Sequence, residues 1–193
     1  MNINILYIHG FNSSPLSEKA ELTRCYFAKS YPDVEFICPQ LPSSPNEAIE
    51  MLDNLVKTKC DETWWLMGSS LGGFFSTYLS EKYQLKAVLI NPAIKPYELL
   101  VDYLGEQENP YTNERYIVKR SHMNDLKQLA CEIITKKSYL VMVQTGDEVL
   151  DYRQAVTKYK NCQLIVQSGG DHSFIDYQTM LPQIASFFLK SQD

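Results

Sequence analysis

The stretch that most constrains this chain is Gly68-Ser69-Ser70-Leu71-Gly72, which joins an apolar, strand-like run (residues 63–67) to a helix-like run (residues 71–82). It reads G-x-S-x-G with Ser70 at its centre. A serine on so tight a strand-to-helix turn needs neighbours without bulk two positions to either side, and the two glycines supply that. The turn would lift the Ser70 hydroxyl above the end of a sheet, at a helix N-terminus where developing negative charge is favoured.

The rest of the chain supplies a frame for such a turn. Residues 3–8 read as a buried strand ending at His9-Gly10-Phe11, followed by a turn-rich stretch and a helix with Leu16, Ala20, Thr23 and Phe27 on one face. Residues 34–38 form a second strand. Ser44-Pro45-Asn46-Glu47 is a capping box opening a helix with Ala48, Met51, Leu52 and Leu55 as its buried stripe. Strand three precedes Ser70, and the helix after it buries Leu71, Phe75, Tyr78 and Leu79. Strands follow at 87–90, 139–144 and 164–166, with a short helix around Tyr152, Ala155, Val156 and Tyr159 and a final helix burying Tyr177, Met180, Leu181, Ile184, Phe187 and Phe188. Trp64 and Trp65 read as core. Strand-helix alternation of this kind predicts an α/β protein, a parallel sheet covered by helices on both faces with right-handed crossovers.

The alternation breaks once. Residues 93–137 form an insertion with helical pieces and no strand run: Tyr97, Leu100, Val101 and Leu104 share a helical face that stops at Gly105, residues 106–116 read as a polar loop, and residues 121–130 as a second helix. A long excursion after a central strand is typically a lid or binding loop. Tyr97, Leu100, Tyr103, Leu104 and Tyr111 are therefore expected to roof a substrate pocket for modest-sized acyl groups.

In a parallel sheet the carboxyl ends of the strands open on one edge, so loops remote in sequence meet there. Three such loops carry Ser70, Asp147 and His172, in that chain order. A neutral serine hydroxyl needs a base to take its proton as it attacks a carbonyl carbon, and an imidazole suits that task. His172 is the expected base and Asp147 the acid that holds its tautomer, with Glu148 and Asp151 as competitors for that role; Asp151, just before Tyr152, looks like a helix N-cap. Asp171 lies too close to His172 along the backbone to aim at its ring and is expected to be exposed. The tetrahedral oxyanion would be held by the backbone N–H groups of Leu71 and Phe11. His9 is expected to fix the loop that carries Phe11, and His122 to be solvated.

Composition narrows the partners. At 193 residues, 45% hydrophobic and 21% charged, the chain suits a single globular domain over residues 1–193. A formal net charge of −5 and the absence of a Lys/Arg-rich stretch argue against nucleic acid and for a small-molecule substrate. Five scattered cysteines suggest neither a disulfide framework nor a zinc site, so no metal or cofactor is expected. The first residues enter an apolar run directly, with no basic segment ahead of it and too few apolar residues for a membrane span, which predicts a soluble cytoplasmic protein.

With those loops identified, the sequence resembles the α/β-hydrolase superfamily and, within it, the small YqiA-type bacterial esterases. The resemblance runs nearly end to end and rests on residues 9–15 (His-Gly-Phe-Asn-Ser-Ser-Pro), residues 68–73, Asn91-Pro92-Ala93 with residues 97–100, Asn109-Pro110-Tyr111-Thr112, and residues 144–153. It implies a minimal three-layer α/β-hydrolase fold with a six-stranded, mainly parallel sheet and a short helical lid insertion. It also implies hydrolysis of carboxylic esters, extending to acyl thioesters, with Ser70, Asp147 and His172 as the triad. Asp171 departs from the histidine loop of that family, where a different residue precedes the histidine. The same side chains could cleave amides or transfer acyl groups, and a non-catalytic binding module on this fold is the further alternative.

Overall fold

The computed structural model describes residues 2–190. Six strands, β1 (Ile3–Ile8), β2 (Val34–Ile37), β3 (Thr63–Ser69), β4 (Lys86–Ile90), β7 (Tyr139–Gln144) and β8 (Gln163–Gln167), form one sheet in the order β2-β1-β3-β4-β7-β8 with every pair parallel. Outside the main sheet, β5 (Gly105–Glu108) and β6 (Arg115–Val118) form an antiparallel hairpin. The helices are α1 (Glu18–Ser30), α2 (Pro45–Thr58), α3 (Leu71–Tyr83), α4 (Pro96–Leu99), α5 (Arg120–Gln128), α6 (Tyr152–Lys158) and α7 (Leu181–Leu189).

Because successive strand side chains point to opposite faces, each central strand feeds two cores. Leu6 and Ile8 pack with Leu52, Phe75, Leu79, Leu126 and Ala155 of α2, α3, α5 and α6; Ile5 and Tyr7 pack with Ala20, Phe27, Ile184 and Phe188 of α1 and α7. That makes three layers. Trp64 and Trp65 are buried in opposite faces of the sheet, and Trp65 stacks on Phe188 with ring centroids 4.9 Å apart. Burial on both faces explains why the central strands read as continuous apolar runs.

Several local expectations need correction. Leu16 is exposed, because α1 begins two residues after it. The face of α2 that packs inward runs through Ala48, Ile49, Leu52 and Val56, so Met51 and Leu55 lie at its margin. The Ser44 side chain makes no cap bond; the first helical turn is closed by its carbonyl, which accepts from Ala48 N–H. The insertion differs most. Its first helix is the single turn α4 continued by a 3₁₀ turn (Leu100–Tyr103), which leaves Val101 exposed, and Gly105 at φ 106° opens β5. Residues 106–116, expected as loop, belong largely to the β5–β6 hairpin, turned by Asn109 and by Asn113 at φ 56°. Cross-strand pairing of Glu108 with Arg115, an exposed ion pair at 2.8 Å, offsets the low apolar content that hid β5. No helix among the described residues is long and apolar enough to cross a membrane.

Candidate active site

Ser70 sits between β3 and α3 at φ 56°, ψ −119°, a conformation that side-chain-bearing residues rarely adopt. Three neighbours impose it. Ser70 N–H donates to Ile90 O at the end of β4, while Ser70 O accepts from Gly73 N–H and Ala93 N–H. A Cβ at Gly68 would lie 2.3 Å from Gly72 O, and one at Gly72 would lie 1.8 Å from Ile8 O. The two motif glycines are thus required by backbone packed against backbone.

The carboxyl ends of β7 and β8 bring the other two side chains to the serine. His172 Nδ1 is 2.9 Å from Asp147 Oδ2 and 3.0 Å from Oδ1, and its Nε2 is 3.1 Å from Ser70 Oγ. An ionised carboxylate only accepts, so Nδ1 carries the ring proton and Nε2 is left to accept from the hydroxyl. The Asp147 side chain is 2% exposed. Burial raises its pKa, but the bond from His172, the His172 charge and the N–H groups of Leu150 and Val149, at 2.8 and 2.9 Å, outweigh burial and hold the carboxyl below its ordinary range. Asp151 caps α6 by accepting from Arg153 N–H, and Asp171 accepts from the Ser173 hydroxyl, so neither competes for the imidazole.

Phe11 and Leu71 both border a cavity of about 240 Å³ that reaches Ser70 and His172. Leu71 is the first residue of α3, so its N–H has no partner within the helix. Gly10 brings the other loop close: a Cβ there would lie 3.3 Å from Ser70 Cβ. His9 is buried, accepts from Leu41 N–H at Nε2 (3.1 Å) and donates from Nδ1 to Gly10 O (2.9 Å). Burial lowers its pKa against the opposing pull of the Gly10 carbonyl, which keeps the ring neutral and tying this loop to residue 41.

The insertion leans on the same loop. Tyr103 and Tyr116 pack edge-on against Phe11, with centroids 5.3 and 6.3 Å away, Tyr116 donates to Asn12 Oδ1, and Asn109 Nδ2 donates to Ser13 O (3.0 Å). Of the five residues expected to roof the pocket, Leu100 and Tyr103 line the 240 Å³ cavity and Tyr111 lines a second cavity beside it. Tyr97 and Leu104 instead pack against the buried cluster on the α2–α3 face of the sheet and line neither cavity. His122, expected in solvent, is buried, with Nδ1 accepting weakly from Lys119 N–H (3.4 Å) at the start of α5; burial lowers its pKa. The helix spacing that turns His122 inward with Met123 and Leu126 was the available signal.

Two residues that sequence reasoning passed over hold the His172 loop. Asn91, 2% exposed, accepts from Gln144 N–H (3.0 Å) and donates to Asp171 O and His172 O (3.0 and 3.2 Å). Gln144, 4% exposed, accepts from Asp171 N–H and Ile175 N–H through Oε1 and donates to Gln167 Oε1 and Ile175 O through Nε2. Glu148 adds a bond from His172 N–H (3.0 Å). An amide closing an otherwise apolar buried strand was the signal, since buried polar groups must find partners.

The family model described as an uncharacterised protein family, UPF0227, matches residues 4–189. The chain belongs to UPF0227. A curated relative, the UPF0227 protein YcfP of Salmonella gallinarum, is 21% identical over 187 residues, covering 95% of this chain and 97% of that protein. Among solved structures, the α/β-hydrolase domain-containing protein 10 of mouse superposes with a TM-score of 0.75 at 17% identity, covering 95% of this UPF0227 chain and 88% of that chain. Est1E of Butyrivibrio proteoclasticus with ferulic acid bound superposes with a TM-score of 0.73 at 13% identity, over 96% of this chain and 88% of the other. These likenesses show that the UPF0227 chain has the α/β-hydrolase fold.

Proposed function

We propose that this UPF0227 protein is a serine esterase that hydrolyses carboxylic esters, acyl thioesters among them, through an acyl-enzyme on Ser70. The observation that carries the reading is the unbroken chain of hydrogen bonds from the Asp147 carboxylate through His172 to the Ser70 hydroxyl. As Ser70 Oγ attacks the carbonyl carbon, His172 Nε2 takes its proton and Asp147 stabilises the imidazolium. The carbonyl oxygen gathers charge against Leu71 N–H and Phe11 N–H, and removing one such donor typically costs about 10²–10³ in kcat. His172 then returns the proton to the leaving oxygen or sulfur. Water, deprotonated by the same nitrogen, attacks the acyl carbon and Ser70 leaves as the hydroxyl. The Asp147 carboxyl stays ionised throughout, consistent with its lowered pKa.

The test is labelling by a fluorophosphonate probe with peptide mapping on wild-type, Ser70→Ala and His172→Ala proteins, beside release of p-nitrophenol from short-chain esters. Labelling at Ser70 that vanishes in both variants, with turnover in the wild type alone, is the expected result. A folded wild type that neither labels nor turns over would overturn the reading in favour of a binding module. Turnover of amides, or acyl transfer to an added alcohol in preference to water, would move it to the amidase or acyltransferase alternative.

A further inference from the structure

Two cavities meet at Ser70 and His172, and their walls differ. The one under the insertion, of about 240 Å³, is bounded by Leu71, Ala93, Leu99, Leu100 and Tyr103 and is apolar. The other, of about 400 Å³, opens toward the start of α1 and is bordered by Ser13, Ser17, Glu18, Lys19 and Glu148. Lys19 is half-buried on the first turn of α1 and its Nζ donates to Ser173 O at 2.8 Å, next to His172. Among the described residues that carbonyl is its hydrogen-bond partner, and no ion pair engages it. An ammonium has three donors, so two remain.

Three of the four acids around Lys19 accept hydrogen bonds from other groups. Asp147 is held by His172 and two backbone amides, Asp171 accepts from the Ser173 hydroxyl, and Glu148 accepts from His172 N–H. The fourth, Glu18, is exposed on the first turn of α1. Burial pushes the Lys19 ammonium down, and Asp171, Glu18 and Asp147 oppose that only in part. A partly desolvated cation with spare donors beside a reaction centre gains most from a charge-assisted bond to an incoming anion.

Building on the esterase reading, we propose that Lys19 recognises a carboxylate on the alcohol portion of the substrate, so that the favoured esters release a hydroxy acid or a phenolic acid. His172 gives its proton to the leaving oxygen, and Lys19 is anchored on the residue after His172, so the Lys19 cavity serves the alcohol. Leu71, whose N–H faces the carbonyl oxygen in this mechanism, borders the apolar cavity, which serves the acyl group. Lys19 is the cation of this cavity, so it is the group that can take a carboxylate there, while Glu18 and Glu148 beside it disfavour a phosphate dianion.

The test compares kcat/KM for 4-acetoxybenzoate and for its neutral methyl ester in wild-type, Lys19→Met, Lys19→Arg and Lys19→Glu proteins. The quantity read is the anionic-to-neutral ratio, in which differences in leaving-group chemistry cancel between proteins. It is expected to fall about tenfold in Lys19→Met, to fall further in Lys19→Glu and to recover in Lys19→Arg. An equal loss on both esters in Lys19→Met would overturn the proposal and make Lys19 a positioning residue acting through the Ser173 carbonyl. Calorimetric titration of 4-hydroxybenzoate into wild-type and Lys19→Met proteins decides the matter independently of turnover. Binding that weakens about tenfold in the variant supports the subsite even if Ser70 proves inert, and no difference between the proteins overturns it.

Discussion

At Ser70 the strained backbone is the price of aiming a hydroxyl, and it persists only because the surroundings over-determine it. Gly72 is the tightest of those surroundings. Gly72→Ala would drive a Cβ into Ile8 O at 1.8 Å, backbone against backbone, so we expect destabilisation of about 3 kcal/mol together with loss of probe labelling at Ser70. A thermal melt within about 2 °C of wild type would refute this account of the turn. The histidine is held by different means. Gln144→Ala removes the acceptor shared by Asp171 N–H and Ile175 N–H, and the loop should shift enough to lower kcat by about 10–100-fold while KM moves little. Steady-state kinetics on an aryl ester reads this directly, and an unchanged kcat would show that the loop holds itself. Ser70, His172 and the loop of residues 9–11 were legible in the sequence because chemistry requires their residue types at strand ends. Asn91, Gln144 and Lys19 were not, since their roles arise from partners 23 to 154 positions away.

Helices α2 and α3 are joined through one carboxylate. Asp53 of α2, buried, accepts from Lys82 Nζ and Tyr83 OH of α3 at 2.6 Å each and pairs with Lys57 at 2.5 Å. Burial raises its pKa, but these donors outweigh burial and bring it to about 2. A carboxyl depressed in the folded state stabilises fully above its unfolded pKa of about 4 and ceases to do so as pH falls through about 2. Asp53→Asn should therefore cost about 1–2 kcal/mol at pH 7, and the gap to wild type should close between pH 4 and 2 in denaturant titrations. A gap independent of pH would mean that packing, not charge, is lost. The hairpin β5–β6 belongs to the same scale. Replacing residues 107–116 with a short turn removes Tyr116 from Phe11 and Asn109 from Ser13 O, so the acyl-length preference should broaden. An unchanged profile across p-nitrophenyl esters of increasing length would show that the hairpin does not hold Phe11 in the wall of the acyl cavity. The hairpin escaped the sequence because Glu106, Gln107 and Glu108 bear no apolar alternation, which left the short apolar run of Tyr116 to Val118 without a recognisable partner strand.

Across the whole molecule, burial is graded from the middle of the sheet outward. Residues of β1, β3, β4 and β7 are buried almost without exception, while β2 and β8 at the two edges are half-exposed. Amide exchange should accordingly be slowest in residues 5–8, 64–69, 87–90 and 140–143 and at least about tenfold faster in β2, β8 and the hairpin. Uniform protection across the six strands would contradict this. The two-sided burial that makes the central strands legible as apolar runs also explains why the layered fold could be read before any contact was known. The edge strands were recognised by position between helices more than by their own pattern.

Ser70 Oγ and His172 Nε2 come together across 102 positions of chain, and His172 follows the outermost strand of the sheet. On a ribosome Ser70 therefore emerges long before His172 does. Under the esterase proposal, the growing polypeptide carries an unarmed hydroxyl until 102 further residues are made and β8 docks on β7.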